Sequence, residues 1–156
     1  VLKNRNTAKR LAIFFHRHVP LLIGPDVLLG ALHTFANQIN ENAKTLAAFF
    51  ALPELNHHLI EGLRFPLSAK QSLRFFLCGG RAMHPRIQQR LRITKTIIEK
   101  NRYTTWQETL TGKTPFATAL SLLVLGSYTS FYMGILHRFD PSAIPWVDYL
   151  KQRLAK

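Results

Sequence analysis

The stretch VPLLIGPDVLLGALHTFANQINENAK, residues 19–44, decides how the chain folds. Val19 to Ile23 is a short, continuous apolar run stopped by Gly24-Pro25, the pattern of a strand buried in a parallel sheet. Asp26 then supplies an N-cap for a helix predicted from Val27 to Lys44. On that helix Leu32, Phe35, Ala36, Ile39 and Ala43 form an apolar side able to dock on a sheet. Asn37, Asn40, Glu41 and Lys44 fall at i, i+3, i+4 and i+7 and share the polar side. Strand, glycine turn and helix in that order also invite a phosphate-site reading, but neither a Walker lysine pattern nor a full GxGxxG is present.

The same alternation continues in both directions. Upstream, Asn4 to Phe15 reads as an amphipathic helix with Ala8, Leu11, Ala12 and Phe15 on one face, and His16-Arg17-His18 as a turn. Downstream, the apolar run Leu46 to Leu52 is expected to be helical and buried, with Pro53 closing it. Leu59 to Leu63 suits a short helical turn, and Phe65 to Gln71 a loop. Leu73 to Cys78 is the second strand, ended by Gly79-Gly80. Pro85 to Lys100 is a surface helix with Ile87, Leu91, Thr94 and Ile98 turned inward. Arg102 to Glu108, rich in β-formers, is the third strand. After the turn Gly112 to Thr114, with Thr114 as N-cap before Pro115, a long helix from Phe116 to His137 is apolar nearly all round, which suits a central position or a dimer interface. Asp140-Pro141 breaks it, and Pro145 to Arg153 forms a last short helix. Strands alternating with helices give one α/β domain over residues 1–156, a three-layer α/β/α sandwich with a mainly parallel sheet. Three strands are clear; a fourth or fifth is expected within Phe65 to Cys78 or in sequence beyond this chain.

Composition narrows the function classes. The 156 residues are enough to bury a core without disulfides or metal, and 47% hydrophobic against 19% charged residues is a globular balance rather than a disordered one. The single cysteine, Cys78, rules out an intrachain disulfide framework and suits a reducing cytoplasm; its apolar neighbours predict a buried structural thiol. A formal net charge of +13 favours anionic partners such as sugar phosphates, nucleic acid or anionic lipid. The charges are dispersed, with clusters at Lys3 to Arg10, Arg81 to Arg102 and Lys151 to Lys156, and no nucleic-acid-binding motif accompanies them. The apolar run Ala117 to Leu125 falls short of the roughly 20 residues a membrane span needs, and the N-terminal segment lacks a signal peptide's pattern. His16 and His18 have no third ligand nearby in sequence, so no metal site is expected there.

Chemistry-bearing groups concentrate in Asn37 to His58, where the polar helix face is followed, past Pro53, by Glu54-Leu55-Asn56-His57-His58. Patterning by itself reads this as a solvated helix face and a polar turn. NENAK, then PELNHH, then the ending DPSAIPWVDYLKQRLAK together resemble the C-terminal half of the bacterial and archaeal bifunctional phosphoglucose/phosphomannose isomerases, which are built from two SIS domains. The resemblance covers most of the chain, from about Val19 to Leu154. With it, the N-terminal valine suggests a domain separated from a longer protein.

The resemblance implies an aldose–ketose isomerisation: the ring of glucose 6-phosphate or mannose 6-phosphate opens, and a proton moves between C1 and C2 through an enediol toward fructose 6-phosphate. One carboxylate can take and return that proton, imidazole suits ring opening near neutral pH, and no metal or cofactor is required. By position in the motifs, Glu41 matches the family's base, His57 its ring-opening histidine and Lys151 a lysine that reaches the sugar oxygens. Asn40, Asn42 and Asn56 are expected to fix loops and side chains around the site. The alternatives are a Glu41 that pairs with Lys44 on a wet helix, a His57 that is one polar residue beside His58, and a Lys151 that is one more tail charge. The family's phosphate is held mainly by serines and threonines of an N-terminal SIS domain, and its histidine can come from the partner subunit. A homodimer, a phosphorylated sugar, that N-terminal SIS domain and little activity in isolation are therefore the expectations, with no membrane partner. A non-catalytic SIS-type module that binds a sugar phosphate and regulates a partner is the second reading, and nucleic-acid binding the third.

Overall fold

The computed structural model describes residues 6–155, so the predicted helix start at Asn4 lies outside the described residues. Helix α1 (Thr7–Phe15) opens at Asn6, whose Oδ1 accepts the Lys9 N–H at 2.9 Å, and Ala8, Leu11, Ala12 and Phe15 are the face it buries. Strand β1 (Val19–Pro25) follows a turn in which Arg17 takes a φ of 64°. A 3-10 turn, Asp26–Leu28, separates β1 from α2 (Leu29–Ala43), so the α-helix starts two residues later than the sequence predicts. Asp26 is therefore not the N-cap the sequence predicts: it is the first residue of the 3-10 turn, its Oδ1 accepts only the adjacent Val27 N–H at 2.8 Å, and Leu28 takes the cap position of α2 without a side-chain bond.

The apolar run predicted as helical at Leu46 to Leu52 is instead strand β2 (Ala48–Leu52). A short apolar run rich in phenylalanine has no period that separates strand from helix, and pairing with β1 satisfies the backbone groups along one side of it. This is the fourth strand, and it lies outside the segment where a further strand was expected. Next come the 3-10 turn Glu54–His57 and two single-turn helices, α3 (Leu59–Gly62) and α4 (Ala69–Ser72), the second replacing the end of the loop predicted over Phe65 to Gln71. Strand β3 (Leu73–Gly80) runs through both glycines that were expected to end it. Helix α5 (Pro85–Lys100), β4 (Thr104–Leu110), α6 (Pro115–His137) and α7 (Pro145–Leu154) complete the chain.

The four strands are all parallel, in the order β2-β1-β3-β4. Alternate strand residues face opposite layers. Leu22, Phe76 and Cys78 meet α1, α2 and α6 on one face, while Ile23, Phe75 and Leu77 meet Leu91 and Ile98 of α5 and Leu55 and Leu63 on the other. Each of these fully buried large side chains contributes about 1.5–3 kcal/mol relative to exposure. Burial pushes the Cys78 thiol above its ordinary range, and the charge of Glu108 adds to the effect, so the sulfur is structural.

Helix α6 is buried on one side only, not central as the first of the two expectations had it. Thr118, Leu122, Gly126, Thr129, Ser130, Met133 and Gly134 pack inward against α1, α2 and the sheet, while Phe116, Leu120, Val124, Tyr128, Phe131 and Ile135 form an exposed stripe. The helix is continuous beyond the run Ala117 to Leu125, and at 23 residues it is long and apolar enough, by length and composition, to cross a bilayer. Its packing on α1 and α2 places it instead as an outer-layer helix of the sandwich.

Candidate active site

Glu41 stands near the end of α2, on the turn before the chain enters β2. Asn40 fixes this corner: its Nδ2 donates to Ala36 O at 2.8 Å and Ala47 O at 3.2 Å, and its Oδ1 accepts the Ala47 N–H at 3.2 Å. Asn42 reaches the other way, donating to Ser130 Oγ at 3.1 Å and tying α2 to α6.

The Glu41 side chain is exposed and lines a cleft of about 350 Å³. Asn40 and Lys44 share its floor, and Phe139, Ile144, Pro145, Trp146 and Val147 make its apolar wall. The anticipated pairing of Glu41 with Lys44 does not occur through the carboxylate. Lys44 Nζ donates to the main-chain carbonyl of Glu41 and, at 3.2 Å, to that of Pro141. Among the described residues the Glu41 carboxylate takes part in no hydrogen bond or ion pair, which leaves both oxygens available in an open cleft. Beside it, the Ser142 hydroxyl and N–H hold the Asp140 carboxyl below the usual carboxylate range, with the Lys44 charge adding.

Lys151 lies on α7, exposed, one turn beyond Val147 on the same helical face. It continues the face that Val147 presents to the Glu41 cleft but is not among the residues that line the cleft. His57 is elsewhere. The 3-10 turn that carries it follows the carboxyl end of β2, whereas Glu41 precedes the amino end of that strand. Five strand residues at about 3.3 Å each separate the two by on the order of 15 Å or more. One chain therefore brings Glu41 and the Lys151 helix together and leaves His57 at the opposite end of the sheet.

His57 is held out to solvent on a well-anchored turn. Asn56 donates to Thr94 Oγ1 at 2.9 Å and accepts from Arg90 Nη1 at 3.2 Å, which fixes the turn to α5. Thr94 is fully buried at 1% exposure, so this is the anchor's inner end. Glu54 pairs with His58 at 3.0 Å and not with His57. Asn56, Arg86, Arg90 and Thr94 also line a groove of about 450 Å³ next to this turn.

Sequence reasoning missed the aromatic wall of the Glu41 cleft and a histidine contact behind it. The exposed tryptophan in DPSAIPWVDYL was the available signal for the wall. His137 Nδ1 lies 2.9 Å from Ala43 O, and its ring is 5.1 Å from that of His16, which links the ends of α1, α2 and α6. No group of three potential metal ligands occurs among the described residues.

Comparison with known proteins places this architecture. Residues 4–154 match the model of the bacterial phospho-glucose isomerase C-terminal SIS domain. The bifunctional phosphoglucose/phosphomannose isomerase of Caldicellulosiruptor bescii is 30% identical over all of this chain, which covers 46% of that protein. The protein of the same name from Aquifex aeolicus is 25% identical over 97% of the chain, covering 47% of its own length. The crystal structure of a glucose-6-phosphate isomerase like protein from Thermus thermophilus superposes with a TM-score of 0.74 at 20% identity, over 97% of this chain and 49% of that one. The chain spans about half the length of the relatives it matches. A parallel α/β sandwich matched from end to end by that family model identifies the chain as a member of the bacterial phosphoglucose isomerase C-terminal SIS domain family.

Proposed function

We propose that this chain is the C-terminal half of a sugar-phosphate aldose–ketose isomerase that interconverts glucose 6-phosphate or mannose 6-phosphate with fructose 6-phosphate. The observation that carries the reading is the unpaired Glu41 carboxylate in an open cleft at the end of α2. Such a group can lift the proton from C2 of the opened sugar and return it to C1, and the apolar wall of Phe139, Ile144 and Trp146 limits water around the enediol. Lys151, one helical turn beyond the Val147 that lines the cleft, donates to sugar oxygens as charge develops on them. His57 opens the ring from a second subunit, which accords with its position at the far end of β2. An N-terminal SIS domain holds the phosphate, in keeping with relatives twice as long.

The test uses the chain joined to the N-terminal half of the Caldicellulosiruptor relative. Glu41→Gln there lowers kcat by about 10³-fold, within the range for loss of a general base, while fructose 6-phosphate still binds. Turnover that survives this change, or a joined protein that binds fructose 6-phosphate and never turns it over, refutes the assignment. The second outcome would favour a regulatory phosphosugar-binding module.

A further inference from the structure

Helix α7 buries none of its residues and packs extensively on no other helix or strand. Its position relative to Glu41 must come from the segment that joins it to α6. That segment leaves α6 at Arg138, in the left-handed region with a φ of 56°, and passes along the end of α2. Lys44 meets it there. At a φ of 51°, Lys44 turns the chain off the end of α2 and folds its side chain back over the last turn.

Three contacts converge on its ammonium group. It donates to the Glu41 carbonyl, one of the acceptors left open at a helix C-terminus, and across the gap to the Pro141 carbonyl at 3.2 Å. It also lies 5.7 Å from the centre of the Phe139 ring. The neighbouring Asp140 carboxylate, kept ionised by Ser142, adds attraction. Of these groups, Glu41, Lys44 and Phe139 line one cleft. We propose that Lys44 is a positioning residue that straps the segment between α6 and α7 to the end of α2 and so sets the distance from Glu41 to Trp146 and Lys151.

The strap itself stands on the contacts of Lys44; its catalytic meaning rests on the isomerase reading. Lys44→Met keeps the length and the contact with Phe139 but loses both hydrogen bonds. Lys44→Arg can still span two carbonyls. Hydrogen exchange on the 156-residue chain reads the strap directly. In Lys44→Met the amides of residues 139–154 exchange about tenfold faster, the scale of losing one charge-assisted hydrogen bond. Lys44→Arg restores protection, and residues 29–43 and 115–137 keep theirs in both.

In the chain joined to the N-terminal half, Lys44→Met lowers kcat/KM about tenfold, because substrate oxygens lose their fixed partners, while the pH profile keeps its shape. Unchanged exchange over residues 139–154 overturns the strap, as does loosening spread evenly through α2 and α6. A pH profile displaced by Lys44→Met overturns it too, since Lys44 would then act on the ionisation of Glu41. No turnover in any version, with exchange behaving as described, would count against the isomerase reading and leave the strap standing.

Discussion

The ring of His16, at the end of α1, lies 5.1 Å from the ring of His137, at the end of α6. His16 Nδ1 is buried without a hydrogen-bond partner, while His137 Nδ1 is held by the Ala43 carbonyl. Burial first, then the charges of His137, Arg17 and His18, lower the His16 pKa below its ordinary value of 6.5. The unfolded chain therefore binds this proton more readily than the folded one. Stability is full above about pH 6.5 and falls as the pH drops from there toward the lowered folded-state value. Urea titrations at pH 7.5 and 5.5 should show a lower midpoint at the acid pH. His16→Gln should reduce the difference, and an equal difference in the variant would remove His16 as its source.

Thr94 is the buried end of the link that holds the His57 turn. Thr94→Val keeps the shape and removes the acceptor, leaving the Asn56 amide without its partner. The expected loss is about 1 kcal/mol of stability, read by chemical denaturation. Exchange should rise in residues 53–58 before it rises in α5. A variant as stable as the parent would show that solvent replaces Thr94 as acceptor.

At Gly134 a Cβ would come 2.9 Å from the Asn42 carbonyl oxygen, a backbone atom that cannot swing aside. Gly134→Ala should push α6 away from α2 beside the Glu41 corner and cost about 1–3 kcal/mol, visible as a lower melting temperature. The Asn42–Ser130 hydrogen bond lies in the same contact and should weaken with it. Gain of stability, through helix propensity alone, is the contrary result.

If His57 serves the Glu41 of a second subunit, two inactive proteins should rescue each other. Glu41→Gln and His57→Asn versions of the joined two-domain protein, unfolded together and refolded, give hybrids with one intact pair of groups. Roughly a quarter of the parental activity should return on random pairing in equal amounts. Recovery near zero would place both groups in one subunit's site, against the separation that β2 imposes.

Much of this architecture could be read from the residues. Leu32, Phe35, Ala36, Ile39 and Ala43 are all buried as their helical spacing required, and α5 begins and ends at Pro85 and Lys100 as predicted. Leu46 to Leu52 failed because a short apolar run has no period that separates strand from helix; neighbours decide, and here the neighbour is β1. The outward stripe of α6 was hidden for a related reason. With apolar residues on every side, no polar residue marks which face is left uncovered. At the site, the exposure of Glu41 followed from the polar face of its helix, and its role from likeness to a family. The wall of Phe139 to Val147 and the meeting of His16 with His137 depend on where α6 ends in space, which no local pattern encodes.

The stripe from Phe116 to Ile135 carries no ionisable group apart from the Tyr128 phenol, so the formal charge of +13 resides wholly on other surfaces. Mutual repulsion among these charges should oppose association of the isolated chain through that greasy rail in dilute buffer. Added electrolyte shortens the reach of that repulsion to about 3 Å at 1 M and leaves the rail's adhesion untouched. The isolated chain should accordingly turn cloudy as sodium chloride rises, and Val124→Glu with Phe131→Glu should keep it clear.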